Sequence, residues 1–169
     1  MATGEIVGYV TAVQPPAANF AAPGVRAGGS TPAELVPYHA FDDGTAEYLD
    51  IYFELHNYGG GGFTVKLRWM AASATTGAVV WGGAFRRIAD DAEDVDDAHT
   101  YDYNDASAAT APTATGEFSY DNVTFTNGAD SDSIANNESG VLRIRRNPAD
   151  AGDTMTGDAQ LVAVVIEET

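Results

Sequence analysis

The densest group of side chains able to do chemistry is an acidic run, with eight carboxylates between Asp90 and Asp105. Carboxylate oxygens suit Ca²⁺, which needs roughly six to eight oxygens at close quarters. The spacing here, and in Asp130-Ser-Asp132, fits no complete Asp-x-Asp-x-Asp-Gly loop. The run therefore predicts a solvated loop rather than a calcium site, and we expect no cofactor.

Motifs for catalysis are missing from the sequence. The three histidines, His39, His56 and His99, are isolated, and no pair has the spacing of metal ligands. There is no nucleophile-elbow pattern, no phosphate-binding loop and no cysteine. We therefore predict no catalytic residues, no metal ligands and no enzyme activity. A hydrolase whose carboxylates converge only after folding remains an alternative.

The charge balance excludes one class of partner. The chain has 25 acidic and 8 basic residues and a formal net charge of −17. Because affinity for nucleic acid depends on cationic contacts with phosphate, nucleic acid is an unsuitable partner. No apolar run approaches the length of a membrane span, and no signal peptide is evident, so we expect no membrane association.

The basic residues are concentrated in predicted strands, where they alternate with apolar residues. That alternation places them on the outer face of a sheet, and the in-register members are Lys66, Arg68, Arg86, Arg143 and Arg145. One interpretation is an intramolecular ladder of surface ion pairs with Asp50, Glu54 and Glu167. The other is a basic band that contacts an acidic neighbouring subunit, with Lys66, Arg68, Arg143 and Arg145 as candidate binding residues.

The elements that position these side chains are strands. Large apolar residues occupy every second position from Leu49 to Leu55 and from Phe63 to Trp69, which is the period of a half-buried strand. Trp69 and Trp81 fall on the apolar phase, so we assign them to the core. An apolar run from Ala159 to Ile166 predicts a central strand.

Further strands are predicted over 34–41, near 99–103, over 117–126 and over 140–146. Pro37 indicates an edge strand, and a phase slip at Asp121-Asn122 indicates a bulge. The long connection over 89–116 is typical of a crossover between sheets. These features predict an all-β, Greek-key antiparallel sandwich of about eight strands over residues 34–169.

Residues 1–33 are predicted to form an N-terminal arm. Residues 4–13 read as a short strand, but four prolines and three glycines follow between Gln14 and Pro32, which disfavours a helix or a central strand. We predict an extended arm that contacts a neighbouring subunit through Phe20 and Val25. A loosely held terminus is the alternative.

Three pieces of the chain resemble a family of small jelly-roll proteins found in the virions of tailed viruses, the bacteriophage type. They are Ala46–Leu55, Val65–Trp81 and Leu142–Leu161. The resemblance implies a jelly roll and a viral structural protein, most simply a capsid decoration (cement) protein. It further implies a homotrimer, assembled in the host cytoplasm, that binds the major capsid protein and copies of itself. It assigns no functional residues.

The alternative function is a receptor- or carbohydrate-binding module of a tail or fibre. Such a module would expose clustered aromatic side chains in a groove. The candidates are Tyr48, Tyr52, Tyr101 and Tyr103.

Overall fold

The structure is a computed structural model that describes residues 5–9 and 13–169, with side chains from residue 13 onward. The described residues form twelve strands and a short 3₁₀ helix, Ala129–Ser131. In chain order the strands are β1 (Glu5–Tyr9), β2 (Ala22–Ala27), β3 (Leu35–Phe41), β4 (Tyr48–Glu54), β5 (Phe63–Ala71), β6 (Ala78–Val79), β7 (Trp81–Ile88), β8 (Asn104–Asp105), β9 (Ala109–Thr110), β10 (Ser119–Phe125), β11 (Ser139–Arg146) and β12 (Ala159–Glu168). Among the described residues, no helix is long and apolar enough to cross a membrane.

Two antiparallel sheets form a sandwich. Sheet I has the order β10-β5-β12-β3-β2, with β1 also paired to β12, and sheet II has the order β4-β11-β7-β8. A small separate pair joins β6 to β9. From β3 to β12 the chain passes back and forth between the sheets, so that β12 enters between β3 and β5 while β11 enters between β4 and β7. This double Greek key is a jelly roll, and the predicted fold class is therefore confirmed.

Alternating apolar residues hold the two sheets together, as predicted. The aromatic ring of Phe85 lies within 6 Å of the rings of Phe53, Phe63 and Phe125. At the other end of the sandwich, Trp69 packs on Trp81 with ring centroids 5.9 Å apart. Both tryptophans are fully buried, which confirms their assignment to the core. Each buried large apolar side chain contributes roughly 1.5–3 kcal/mol.

The expectation that Pro37 marks an edge strand is wrong. β3 lies between β12 and β2, and Pro37 pairs with Val25 of β2. The sheet tolerates the proline because β12 pairs only with His39–Phe41 of β3. Among the described residues, the stretch around Pro37 thus has a ladder partner on one side only, and its missing N–H is not required on the other.

Much of the predicted arm lies along the sandwich. Val13 and Ala21 are buried in the core, and Ala22–Ala27 forms the edge strand β2. Glu5–Tyr9 pairs with β12, in agreement with the strand predicted over 4–13, whose remaining residues lie partly outside the described ranges. Phe20 and Val25 are 45% and 57% exposed. Their contact with a neighbouring subunit stays a prediction.

Two local predictions are also wrong. Residues 99–103 form no strand, and the short strand begins at Asn104 instead, because the two tyrosines in between contact arginine side chains rather than a sheet. β10 pairs with β5 in continuous register without a bulge. The phase slip arises because Asp121 occupies a core-facing position opposite Leu67. A shift in register does occur in sheet I, but it lies in β12, between Leu161 and Ala163.

Candidate functional site

The outer face of sheet II carries an arginine row on β11. Arg143 lies opposite Asp50 of β4 and donates from Nε and Nη2 to its two carboxylate oxygens, at 2.6 and 2.7 Å. Asp50 is only 5% exposed. Such a two-pronged, charge-assisted contact is among the strongest polar interactions in proteins. The hydrogen bonds to Asp50 raise the pKa of Arg143, so this guanidinium stays charged.

A segment that we call the strap, residues 99–105, covers this row. The rings of Tyr101 and Tyr103 lie over the guanidinium groups of Arg143 and Arg145 respectively, each at 4.0 Å. Burial raises the pKa of Tyr103 to about 12 and also raises the pKa of Tyr101. Both phenols therefore remain neutral at physiological pH, and their rings are available for cation–π contacts with the two guanidinium groups.

The strap ends in a polar clasp at Asp105. Its carboxylate accepts hydrogen bonds from Nη2 of Arg145 at 2.9 and 3.0 Å. It also accepts one from the side-chain amide of Asn147 at 2.9 Å. We call the surface formed by Asp50, Arg143, Arg145 and the strap the closed face.

The part of the acidic run that precedes the strap, residues 90–98, is held in place through its backbone carbonyl groups. Nη2 of Arg86 donates to the carbonyl oxygens of Asp94 and Asp97, at 2.7 and 3.2 Å. Residues 90–98 are all exposed, so this part of the acidic run is a solvated loop as predicted, whereas Asp105 at its other end pairs with Arg145. In the described part of the chain, no group of three or more His, Cys, Asp or Glu side chains is arranged to hold a metal ion.

Arg146 plays a structural part that was not assigned from the sequence. It is fully buried and donates to Asp153, at 2.7 Å from Nη2, and to the carbonyl oxygen of Gly157 at 2.7 Å. These contacts fasten the loop between β11 and β12. The burial of Arg146 could have been predicted from its position in the strand, because it continues the series of inward-facing positions Leu142 and Ile144.

The outer face of sheet I presents cations differently. Lys66 forms an ion pair with Glu167, whereas the guanidinium of Arg68 lies over the exposed ring of Tyr120, at 4.4 Å. Arg26 reaches across from β2 and donates to the side-chain oxygen of Gln160 at 3.0 Å. Among the described residues, neither Arg26 nor Arg68 has a carboxylate within 4 Å.

A shallow groove adjoins Arg26. It has a volume of about 430 Å³, and its lining includes Arg26, Val36, Met70 and Phe118. Phe118 and Tyr120 are 46% and 64% exposed. We call the surface formed by Arg26, Arg68, Phe118 and Tyr120 the open face; Met70 lines the groove but is buried.

A second groove, of about 460 Å³, lies near the β2–β3 hairpin and is lined in part by Val13, Pro23, Val25, Pro37 and His39. His39 is buried, and burial lowers its pKa, so the imidazole is neutral at physiological pH. Nothing in the described lining arranges a nucleophile beside this base.

The predicted subunit-contact residues therefore do not form one band. Arg143 and Arg145 lie on the closed face, whereas Lys66 and Arg68 lie on the outer face of the other sheet. Three of the four have carboxylate partners within the chain, as in the ladder interpretation. The ladder takes its acids from Asp50, Glu167 and Asp105, the last of which was not among the predicted partners.

The tyrosines of the carbohydrate alternative are partly brought together. The ring centroid of Tyr103 lies 6.2 Å from those of Tyr48 and Tyr101, but Tyr101 and Tyr103 each have a guanidinium against one ring face. Tyr52 is 63% exposed.

Comparisons with known proteins give little further information. No protein-family model and no curated protein matches the chain. Among solved structures, the chain is similar to TmCBM61, solved in complex with beta-1,4-galactotriose. The TM-score is 0.40 at 10% identity, over 98% of this chain and 88% of that chain. A likeness at this level indicates nothing about what the present chain binds.

Proposed function

We propose that this protein is a virion structural protein, a capsid decoration protein that binds and stabilises the shell of a tailed virus. The observation that carries the proposal is the internal use of cations. Arginines of β7 and β11 fasten the strap, the acidic run and the β11–β12 loop onto the jelly roll, so that long connections become parts of a rigid body. A rigid body with an acidic exterior suits passive binding.

The physical basis is multivalency. A capsid presents the same surface many times, so contacts that are weak individually add up when a protein binds as a symmetric oligomer. We further propose that the partners are the major capsid protein and copies of the chain itself, in a homotrimer. Its location is then the virion, with assembly in the host cytoplasm.

The test compares virus particles with and without the gene for this chain. Purified wild-type particles should contain the protein in many copies. Particles that lack it should release DNA at a lower temperature, and added purified protein should restore the release temperature. Adding the Asp102→Asn variant, which changes an exposed strap residue, serves as the matched control and should restore it equally. Absence of the protein from particles, or its presence only on tails, would contradict the proposal.

The second candidate is a carbohydrate-binding module, which the convergence of Tyr48, Tyr101 and Tyr103 favours. It predicts oligosaccharide binding on a glycan array, weakened by Tyr48→Ala and by Tyr52→Ala. The decoration proposal predicts no glycan binding and no dependence on Tyr52.

A further inference from the structure

We propose that the open face binds the acidic loop 90–97 of a second copy of this chain. This inference concerns the purified protein in solution and does not depend on the virion role.

The open face has the composition of a protein contact surface. Exposed Tyr120 lies opposite Arg68 on the neighbouring strand, and exposed Phe118 precedes it by two residues. Aromatic residues and arginine are enriched in the centres of protein interfaces, and tyrosine and arginine are frequent among the residues that dominate binding energy. The ring of Tyr120 already orients the Arg68 guanidinium, so little side-chain freedom remains to be lost on binding.

Charge complementarity identifies the occupant. Every other arginine in the described structure donates to a carboxylate or backbone carbonyl of another segment, including Arg26, which donates to the carbonyl oxygen of Ala71 at 3.4 Å. Arg68 donates only to the carbonyl oxygen of its own neighbour Leu67, at 3.2 Å. Glu167, on the neighbouring strand β12, pairs with Lys66. Two acids, Glu34 and Glu117, line the groove beside Arg26, so the part of the open face that favours an acidic partner is Arg68 with Tyr120.

The loop 90–97 of another copy supplies that chemistry. It carries six acids, of which Glu93 forms an ion pair with Arg87, and an exposed apolar residue, Val95, at 62% exposure. Its backbone is fixed by Arg86 through the carbonyl oxygens of Asp94 and Asp97, which leaves the Asp97 carboxylate directed to no described partner. An acidic loop with an apolar tip is complementary to a surface that combines arginine with aromatic rings. Because the loop is already fixed, binding would cost it little backbone entropy.

The two surfaces lie on the outer faces of opposite sheets, so they cannot meet within one molecule. Arg68 lies at the end of the sandwich where Trp69 packs on Trp81, on the outside of sheet I. The loop follows Ile88, at the end where Phe85 packs on Phe63, and rests on the outside of sheet II. The contact must therefore join different copies. A contact between two unlike surfaces forms a closed ring when its rotation closes, and a threefold ring is one such product.

The experiment measures mass by sedimentation over a range of protein concentrations, with circular dichroism to verify folding of each variant. The wild-type chain should form a species heavier than the 17.7 kDa monomer. Arg68→Glu places like charges opposite one another and should weaken association at least about tenfold. The loop variant Asp96→Lys with Asp97→Lys should do the same, whereas Asp102→Lys, an equal charge change per residue outside the loop, should not.

The triple variant that combines Arg68→Glu with the two loop lysines restores complementarity and should regain the heavier species. A wild-type monomer at every concentration would overturn the proposal. So would a heavier species whose mass is unchanged by Arg68→Glu, or a folded triple variant that stays monomeric.

Discussion

The outer faces of the two sheets carry similar residues but use them differently. On the closed face, Arg143 and Arg145 lie between carboxylates of the sheet and the tyrosines of the strap. On the open face, Arg68 has a tyrosine beneath its guanidinium but no described carboxylate. The contrast teaches that an arginine next to a tyrosine has no fixed role. The presence of a carboxylate on the neighbouring strand decides whether the cation fastens a loop or stays available to a partner.

The largest effect should come from Arg146, the inward-facing arginine of β11, which follows the closed-face arginines Arg143 and Arg145 on the same strand. Asp153→Ala leaves the buried guanidinium of Arg146 without its partner, and we expect the free energy of unfolding to fall by about 3–5 kcal/mol. Urea denaturation measures this loss, and Asp102→Ala provides an exposed control with little change. A loss below about 1 kcal/mol would mean that carbonyl oxygens alone satisfy Arg146.

A smaller loss should follow from Asp50→Ala on the closed face. The substitution removes both hydrogen bonds to Arg143, and bonds to charged groups contribute about 1.5–3 kcal/mol. The comparison substitution on the open face, Arg68→Gln, removes no described ion pair but removes the cation–π contact with Tyr120, so it should cost only about 0.5–1 kcal/mol. If the two variants lost the same free energy of unfolding, the proposed difference between the two faces would be contradicted.

The strap should respond to Tyr103→Leu, which keeps apolar volume but removes the ring over Arg145. We expect a loss of about 1 kcal/mol, the range of a partly desolvated cation–π contact. Hydrogen exchange should also become faster in residues 99–105, while β5 remains protected. An unchanged strap would show that Asp105 holds it without the tyrosine.

The smallest effect concerns the inside of sheet I. Burial raises the pKa of Asp121, so the folded protein binds this proton more readily than the unfolded chain does. Its contribution to stability therefore increases as the pH falls through the folded pKa toward the ordinary aspartate value, and it is unfavourable at neutral pH. Asp121→Asn should stabilise the protein at pH 7 by less than about 1 kcal/mol, because the group is partly exposed and solvent screens the effect. The difference between the two unfolding free energies should shrink in acid, and a variant that is less stable at pH 7 would contradict the assignment.

The layers of the fold could be predicted from the sequence because they follow from a local period. Leu49 to Leu55 and Phe63 to Trp69 alternate without interruption, and burial of one face follows directly. The closed face could be predicted only in part. The pairing of Arg143 with Asp50 follows from outward positions on predicted strands, whereas the role of Tyr101 and Tyr103 depends on where a long connection folds back.

The remaining errors have a common physical cause. The alternation of Tyr101 and Tyr103 predicted a strand, but their partners are guanidinium groups rather than a backbone ladder. Pro37 predicted an edge strand, yet β3 lies between two strands of sheet I. The proline is tolerated there because β12 pairs with only part of β3. In each case a contact between residues far apart in the chain determined the outcome, and a local pattern carries no information about it.

The position of β12 has a consequence for how the molecule is made. This strand, the last of the twelve, sits in the middle of sheet I and pairs with β1, β3 and β5. While a ribosome is still synthesising it, those three strands lack their common neighbour, and the nascent polypeptide exposes unpaired strand edges. Folding should therefore finish only after translation passes residue 168, and premature termination before residue 159 should yield aggregates rather than a smaller native domain.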